Sequence, residues 1–422
     1  MLNNGASALD AAVHAVSRME DDELFNCGRG SVFTRAGTIE MEASIMVASL
    51  TTDSDSSSKN DSAMKCGVGV MMIKNVRNPI KLAREVILRT PYDESGNPIP
   101  GIEGGSMHSQ LSGPYVEELA KKQNWDLQFM PDEWFWTKRR WDEHRRGLGG
   151  TGQEFFSSGD GDGDKKEEEE AVSMSQGTVG CVCLDQWGNL VTATSTGGMT
   201  NKWPGRIGDT PTLGTGFWAE DWETNEKQSQ TGNAGQEGSV VSFVSDVRSL
   251  LGDCLPRVFR SSGYTPLPVE QSQIAYPSEK QPQSQSQGYP PTSSTRRRAA
   301  AVSGTGNGDS FLRTAAARTV CAMLRFSSSS LAEAISAVAG PGGELQRSAG
   351  QRWGKTGEGE GGMIGIEAEL VIGGNGSATE QKERRGKAVF DFNCSGMWRA
   401  WMEEDTNGME HERVMVFREE YQ

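Results

Sequence analysis

The feature that most constrains this chain is the stretch Gly177–Gly198, in which two apolar, β-branched runs flank a short loop. The first run is Thr178-Val179-Gly180-Cys181-Val182-Cys183-Leu184 and the second Leu190-Val191-Thr192-Ala193-Thr194-Ser195-Thr196, with Gly188 ending the loop between them. Such runs favour strands, and a three-residue loop with glycine in the left-handed position joins antiparallel neighbours. Neither run has a polar face, so both strands are expected to be buried on both faces. If Asp185 and Asn189 close the loop, Thr178 lies opposite Thr196, and threonines gather at the open end of the hairpin.

Residues 157–176 stand just upstream, with Gly159-Asp160-Gly161-Asp162-Gly163-Asp164 followed by Lys165-Lys166-Glu167-Glu168-Glu169-Glu170. A block of this charge density is expected to be a solvated linker. Its spaced aspartates imitate a calcium loop, but Lys165 and Ala171 stand where that loop needs Gly and Glu. Thr178 therefore begins a core strand directly after a segment that does not pack, and Gly177 before it tolerates unusual backbone angles. A cut between Gly177 and Thr178 would expose a threonine whose own α-amine, with a reference pKa of about 7.7–8.0, sits beside its hydroxyl as a base.

Only 35% of the 422 residues are apolar and 52 are glycine, which predicts that part of the chain stays out of the core. The tracts expected to do so are residues 51–64, the linker, a Gln/Ser/Pro-rich insertion over residues 222–300 that ends in Arg296-Arg297-Arg298, and a polar insertion over residues 373–387. The arginine triplet reads as solvated charge. With 42 Lys+Arg against 57 Asp+Glu, the net charge of -15 disfavours a nucleic-acid partner, which needs a basic footprint. No apolar run approaches the ~18 residues of a membrane span, and no signal peptide opens the sequence. A soluble cytoplasmic protein is expected, its seven scattered cysteines buried as free thiols.

Helical spacing of Leu9, Ala12, Val13, Val16 and Met19 predicts a first helix capped by Ser7. A strand over Cys66–Ile73, a helix after Asn78-Pro79, another over Pro114–Gln123, and helices over Phe311–Leu324 and Leu331–Val338 follow from the same patterns. The aromatic and basic run Trp134–Trp141 reads as a partly buried helix. Ala349-Gly350-Gln351-Arg352-Trp353-Gly354-Lys355-Thr356 fits a loose phosphate-loop pattern, but no strand precedes it and no helix follows, so nucleotide binding is not expected. His14, His108, His144 and His411 share no metal-ligand spacing.

Several motifs in order, namely Leu24-Phe25-Asn26-Cys27-Gly28, Arg77-Asn78-Pro79, Gly177-Thr178-Val179-Gly180, Thr194–Lys202, Pro204-Gly205-Arg206-Ile207-Gly208-Asp209-Thr210-Pro211, Thr305-Gly306-Asn307-Gly308-Asp309 and Gly396-Met397-Trp398-Arg399-Ala400, resemble the plant-type asparaginase and isoaspartyl peptidase branch of the N-terminal nucleophile hydrolases. The resemblance implies an α+β chain arranged as a four-layer αββα sandwich, cut into an α part (1–177) and a β part (178–422). It implies that Thr178 attacks the side-chain amide of L-asparagine or of a β-aspartyl peptide, supported by Thr196. Arg206 and Asp209 would clamp the substrate's α-carboxylate and α-ammonium. Thr305 and Gly306 would form the oxyanion hole within a substrate-binding stretch that includes Asn307 and Gly308, with Asn26 nearby. No cofactor is implied beyond a structural sodium held by backbone carbonyls around Met19–Arg29, and the partners implied are a small amino-acid or peptide substrate and a second processed copy in a homodimer. Three other readings stay open: a threonine endopeptidase, a glycosylasparaginase and an uncleaved, inactive scaffold. Members of the family begin with a strand and a His-Gly-Gly motif before the first helix. This sequence starts at that helix, which predicts a central sheet lacking that strand.

Overall fold

The computed structural model describes residues 1–50, 66–89, 97, 108–149, 177–225, 295–372, 382–404 and 409–418. The chain divides into a body formed by Met1–Asn225 and Ser293–Gln422 and a second unit, Glu226–Thr292, which lies outside the described residues, as do the expected linker at 157–176 and the Ser/Asp tract at 51–64.

Helix α1 (Ala8–Glu20) starts where the Asp10 N–H donates to Ser7 Oγ, and its Ala8, Ala12, Val13 and Val16 are buried. An N-cap serine of this kind satisfies one of the four otherwise orphaned amides of the first turn. Helix α2 (Pro79–Leu88) carries proline at its first position, where the missing N–H costs nothing, and buries Ile80, Leu82, Ala83 and Val86. Three further helices, α3 (Tyr115–Lys122), α4 (Asp132–Phe135) and α5 (Lys138–Gly149), complete the N-terminal set. The Trp134–Trp141 run is thus two helices broken at Trp136-Thr137.

Five strands, β1 (Met41–Ser49), β2 (Cys66–Ile73), β3 (Gln110–Ser112), β4 (Val179–Leu184) and β5 (Asn189–Thr196), form one sheet in the order β3-β2-β1-β5-β4. A second, antiparallel sheet follows the chain as β6 (Phe217–Asn225), β7 (Thr295–Gly306), β8 (Gly361–Ile372) and β9 (Lys382–Phe392). Between β7 and β8 run α6 (Gly308–Thr314), α7 (Ala316–Phe326), α8 (Leu331–Ala339) and α9 (Glu344–Ala349). A hairpin of β10 (Arg399–Glu404) and β11 (Glu410–Met415) ends the described fold.

Three apolar clusters hold this α+β body together. One joins Val13, Val16, Ile80 and Val86 to Ile45, Val70 and Ala193 of the first sheet. Another joins Val320, Leu324 and Ile335 to Val302 and Met363 of the second. The third holds Met46, Ala48 and Leu190 against Phe217, Ala219, Ala301 and Leu370, so apolar faces of the two sheets share one core. Toward one end that seam turns polar: Thr192 Oγ1 donates to the Val302 carbonyl (3.0 Å), and Thr194 and Ser303 hydroxyls bond at 2.8 Å.

The structure corrects several boundaries. Residues 222–225 and 295–300, expected within the insertion, are strand, and Asn225 pairs with Thr295. The arginine triplet is not solvated charge: Arg297 is buried with its guanidinium on Asp221 (2.5 Å), Arg298 meets Glu367 and Arg296 meets Glu369 (3.6 Å). Those acids stand on β6 and β8, about 70 residues away in each direction, beyond the reach of local pattern. Residues 382–387, expected in a polar insertion, belong to β9. The helix expected over Phe311–Leu324 breaks at Ala315, which takes a left-handed φ of 45°. Of the hairpin strands only β5 is buried on both faces; β4 is an edge strand and half-exposed along much of its length.

Candidate active site

The hairpin has the expected register. Val179 pairs with Ser195 and Leu184 with Leu190, the Asp185 N–H donates to the Asn189 carbonyl (3.0 Å), and Gly188 adopts φ +90°. The Asp185 carboxylate closes the loop by accepting from the amides of Trp187 and Asn189, and it reaches the Ala8 N–H at the start of α1 (3.0 Å). One residue beyond the first ladder pair, Thr178 faces the end of β5, where Thr196 is buried and its hydroxyl accepts from the Gly198 N–H (3.0 Å). Gly177 is exposed, and a Cβ added to it would lie 3.0 Å from Thr305 Oγ1. Thr305 of the second sheet therefore lies beside Gly177, the residue that leads into the hairpin.

Thr305 and Gly306 end β7, paired with Gly362 and Gly361 of β8. Gly306 has φ +143°, and a Cβ there would fall 2.4 Å from the Glu360 carbonyl oxygen, so no other residue fits. Asn307 caps α6: its Oδ1 accepts from the Ser310 N–H (3.0 Å) and from the Ser310 hydroxyl (2.8 Å). Its side-chain oxygen is thereby committed to the fold.

Arg206, Gly208, Asp209, Gly308 and Asp309 converge. Arg206 Nη2 donates to Asp309 Oδ1 (2.7 Å), and a Cβ on Gly308 would lie 2.4 Å from Asp209 Oδ1 and 3.0 Å from Arg206 Nη2. Asp209 is buried, and burial pushes its carboxyl up to about 7, with neighbouring Glu42 adding to the effect and Arg206 opposing it. Glu42 is also raised by burial, held back by Lys202 and by the Gly208 N–H. Burial in turn lowers the Lys202 ammonium, whose Nζ donates to the Glu40 carbonyl (2.6 Å).

Two carboxylates that the sequence patterns did not single out hold this turn. The Gly205 N–H donates to Glu40 Oε2 (2.7 Å) and the Gly208 N–H to Glu42 Oε1 (2.8 Å). Their signal was present as acids alternating with Met41 at the head of an apolar strand, where an unpaired charge would be costly. Glu20 was missed as well. It is fully buried at the end of α1, accepts from Ser195 Oγ (2.6 Å) and the Ile80 N–H (3.0 Å), and burial pushes it to about 8.

Asn26 bonds to protein on both sides: Nδ2 donates to the Gly198 carbonyl (2.7 Å), and Oδ1 accepts from the Val32 N–H (3.1 Å). It pins the loop that follows Thr196. In the same turn, Cβ atoms added to Gly28 and Gly30 would strike the carbonyl oxygens of Glu20 (2.2 Å) and Phe25 (2.0 Å), so these two carbonyls point at the glycines. Among the described residues no group of three or more His, Cys, Asp or Glu could hold a metal ion, and no helix is long and apolar enough to cross a membrane.

The model of the asparaginase family matches residues 1–234, which include Gly177, Thr178, Thr196, Arg206 and Asp209 but not Thr305–Gly308. Similar proteins include the isoaspartyl peptidase/L-asparaginase of Bos taurus, 35% identical over 231 residues (52% of this chain, 57% of the relative). The isoaspartyl peptidase of Salmonella typhimurium is 33% identical over 221 residues (52% and 58%), and the isoaspartyl peptidase/L-asparaginase of Homo sapiens 33% over 224 (52% and 57%). The chain spans under three-fifths of the length of each of these relatives.

Proposed function

The chain belongs to the asparaginase family, and on that premise we propose that it is a self-cleaving threonine amidohydrolase acting on the side-chain amide of L-asparagine or of β-aspartyl peptides. The chain cuts itself between Gly177 and Thr178. The freed Thr178 amine then takes the proton of its own hydroxyl, and Oγ attacks the amide carbonyl. Negative charge develops on the carbonyl oxygen, toward the Thr305 hydroxyl and the Gly306 amide, before ammonia or a peptide amine leaves with the proton and water resolves the ester. Thr196 supports the nucleophile. The Arg206 guanidinium has five N–H donors, enough to take a substrate carboxylate while it keeps Asp309, and ionised Asp209 accepts from the substrate ammonium.

The observation that carries this reading is the approach of Gly177 to Thr305, which brings the scissile peptide from one sheet to the glycine-rich strand end of the other. The three apolar clusters agree with a four-layer αββα arrangement of the N-terminal nucleophile type. Carbonyls pointing at Gly28 and Gly30 suit a structural sodium, which would brace that turn. A cytoplasmic homodimer of processed chains belongs to the same proposal.

Intact mass and N-terminal sequencing test it. Incubated protein should yield a new chain starting at Thr178, and Thr178→Ala should remain whole. Ammonia release from L-asparagine, set beside cleavage of a β-aspartyl dipeptide, a glycosylated asparagine and an aspartate-containing protein, then assigns the substrate. A chain that stays intact and releases no product from any of them is the inactive scaffold instead.

A further inference from the structure

Three hydrogen bonds from one side of the second sheet converge on the backbone behind Gly306. Asn393 follows the last residue of β9, and its Oδ1 accepts from the Gly361 N–H (2.9 Å) while its Nδ2 donates to the Gly359 carbonyl (2.9 Å). Its own N–H donates to the Gly361 carbonyl (3.0 Å). The turn Gly359-Glu360-Gly361 is thus tied at both ends to one residue. From the other side, Ser310 Oγ accepts from the Gly359 N–H (2.9 Å), and the Asn307 N–H donates to the Glu360 carbonyl (2.8 Å). The Gly306 backbone rests on this turn without slack, since a Cβ on Gly306 would lie 2.5 Å from Gly361 Cα.

We propose that Asn393, with Ser310, is a positioning residue of the reaction: it fixes the Gly359–Gly361 turn, and the turn fixes the Gly306 peptide whose N–H meets the oxyanion. The inference rests on the hydrolase reading above. Neither side chain reaches substrate. Their contribution is to hold an N–H where charge develops, and a displacement of about 1 Å at such a donor costs on the order of 100-fold in rate.

The test compares Asn393→Ala, Asn393→Asp and Ser310→Ala with the wild-type chain, using L-asparagine and a β-aspartyl dipeptide as substrates. An interaction that strengthens only in the transition state lowers kcat and kcat/KM together. Asn393→Ala is expected to lose about 10- to 100-fold in kcat with KM changed less than about threefold. Aspartate keeps the acceptor for Gly361 but sets a second acceptor against the Gly359 carbonyl, so Asn393→Asp should not rescue the rate. Amide hydrogen exchange at residues 305–307 should quicken in each variant. If Asn393→Ala does not fold, Ser310→Ala carries the same expectation through its own bond to the Gly359 N–H. Folded variants with wild-type kcat, or with a raised KM and unchanged kcat, would overturn this inference alone. A wild-type chain without turnover would overturn it together with the hydrolase reading.

Discussion

Burial raises the Asp209 carboxyl to about 7, into the range where it changes charge near neutral pH. If Asp209 accepts from the substrate ammonium as proposed, protonation below about pH 7 removes that partner, so KM for L-asparagine should rise as pH falls through that value, and Asp209→Asn should raise KM and flatten the dependence. Steady-state kinetics between pH 5.5 and 8.5 measure both. Glu20 has the opposite importance, for the fold rather than the substrate. Its folded pKa, about 8, lies above the unfolded value of about 4.3, so the stability associated with it is present in acid and is lost as pH rises through that window. Glu20→Gln keeps an oxygen for Ser195 and Ile80 and removes the titration. Thermal unfolding should therefore show the variant gaining on the wild type between about pH 5 and 8 and keeping a constant lead above it. A lead independent of pH would show that Glu20 does not titrate in that range.

Local pattern was enough for the elements that close on themselves. The Ser7 cap, the proline start of α2 and the register of β4 against β5 are short-range, so their residues lie next to one another in the sequence. The motif around Gly205 and Gly208 was legible, but what holds that turn was not, because Glu40 and Glu42 arrive from the start of β1, more than 160 residues upstream. Separation in sequence likewise concealed Asn393 from the Thr305–Gly306 motif and the acidic partners from the arginine triplet. Glu42→Ala strands the buried Gly208 N–H, a cost of about 1–3 kcal/mol, and removes one of the charges that balance Lys202 and Arg206. KM for L-asparagine should rise about tenfold or more while the Thr178 terminus still forms, as kinetics and N-terminal sequencing on the same sample would reveal. Loss of processing with unchanged KM would move Glu42 out of the clamp.

At the scale of the whole molecule, the chain leaves the second sheet at Asn225 and returns at Thr295, directly opposite. The described strands require only that these two adjacent ends be joined. Replacing residues 226–294 with Asn-Gly should not lower the unfolding temperature, since closing a short loop costs less entropy than closing a long one. Activity should persist, and its loss would assign the segment a role in the reaction. The first sheet has a different property: β1, β2 and β3 precede Gly177, whereas β4 and β5 follow it, and β1 is zipped to β5 from Glu42↔Thr196 to Ser49↔Asn189. A cut at Gly177 thus leaves two polypeptides that share one sheet. Each is the other's template, so the halves expressed as separate genes would have to find one another during folding, and reconstitution from two plasmids becomes a way to mix variants of either half.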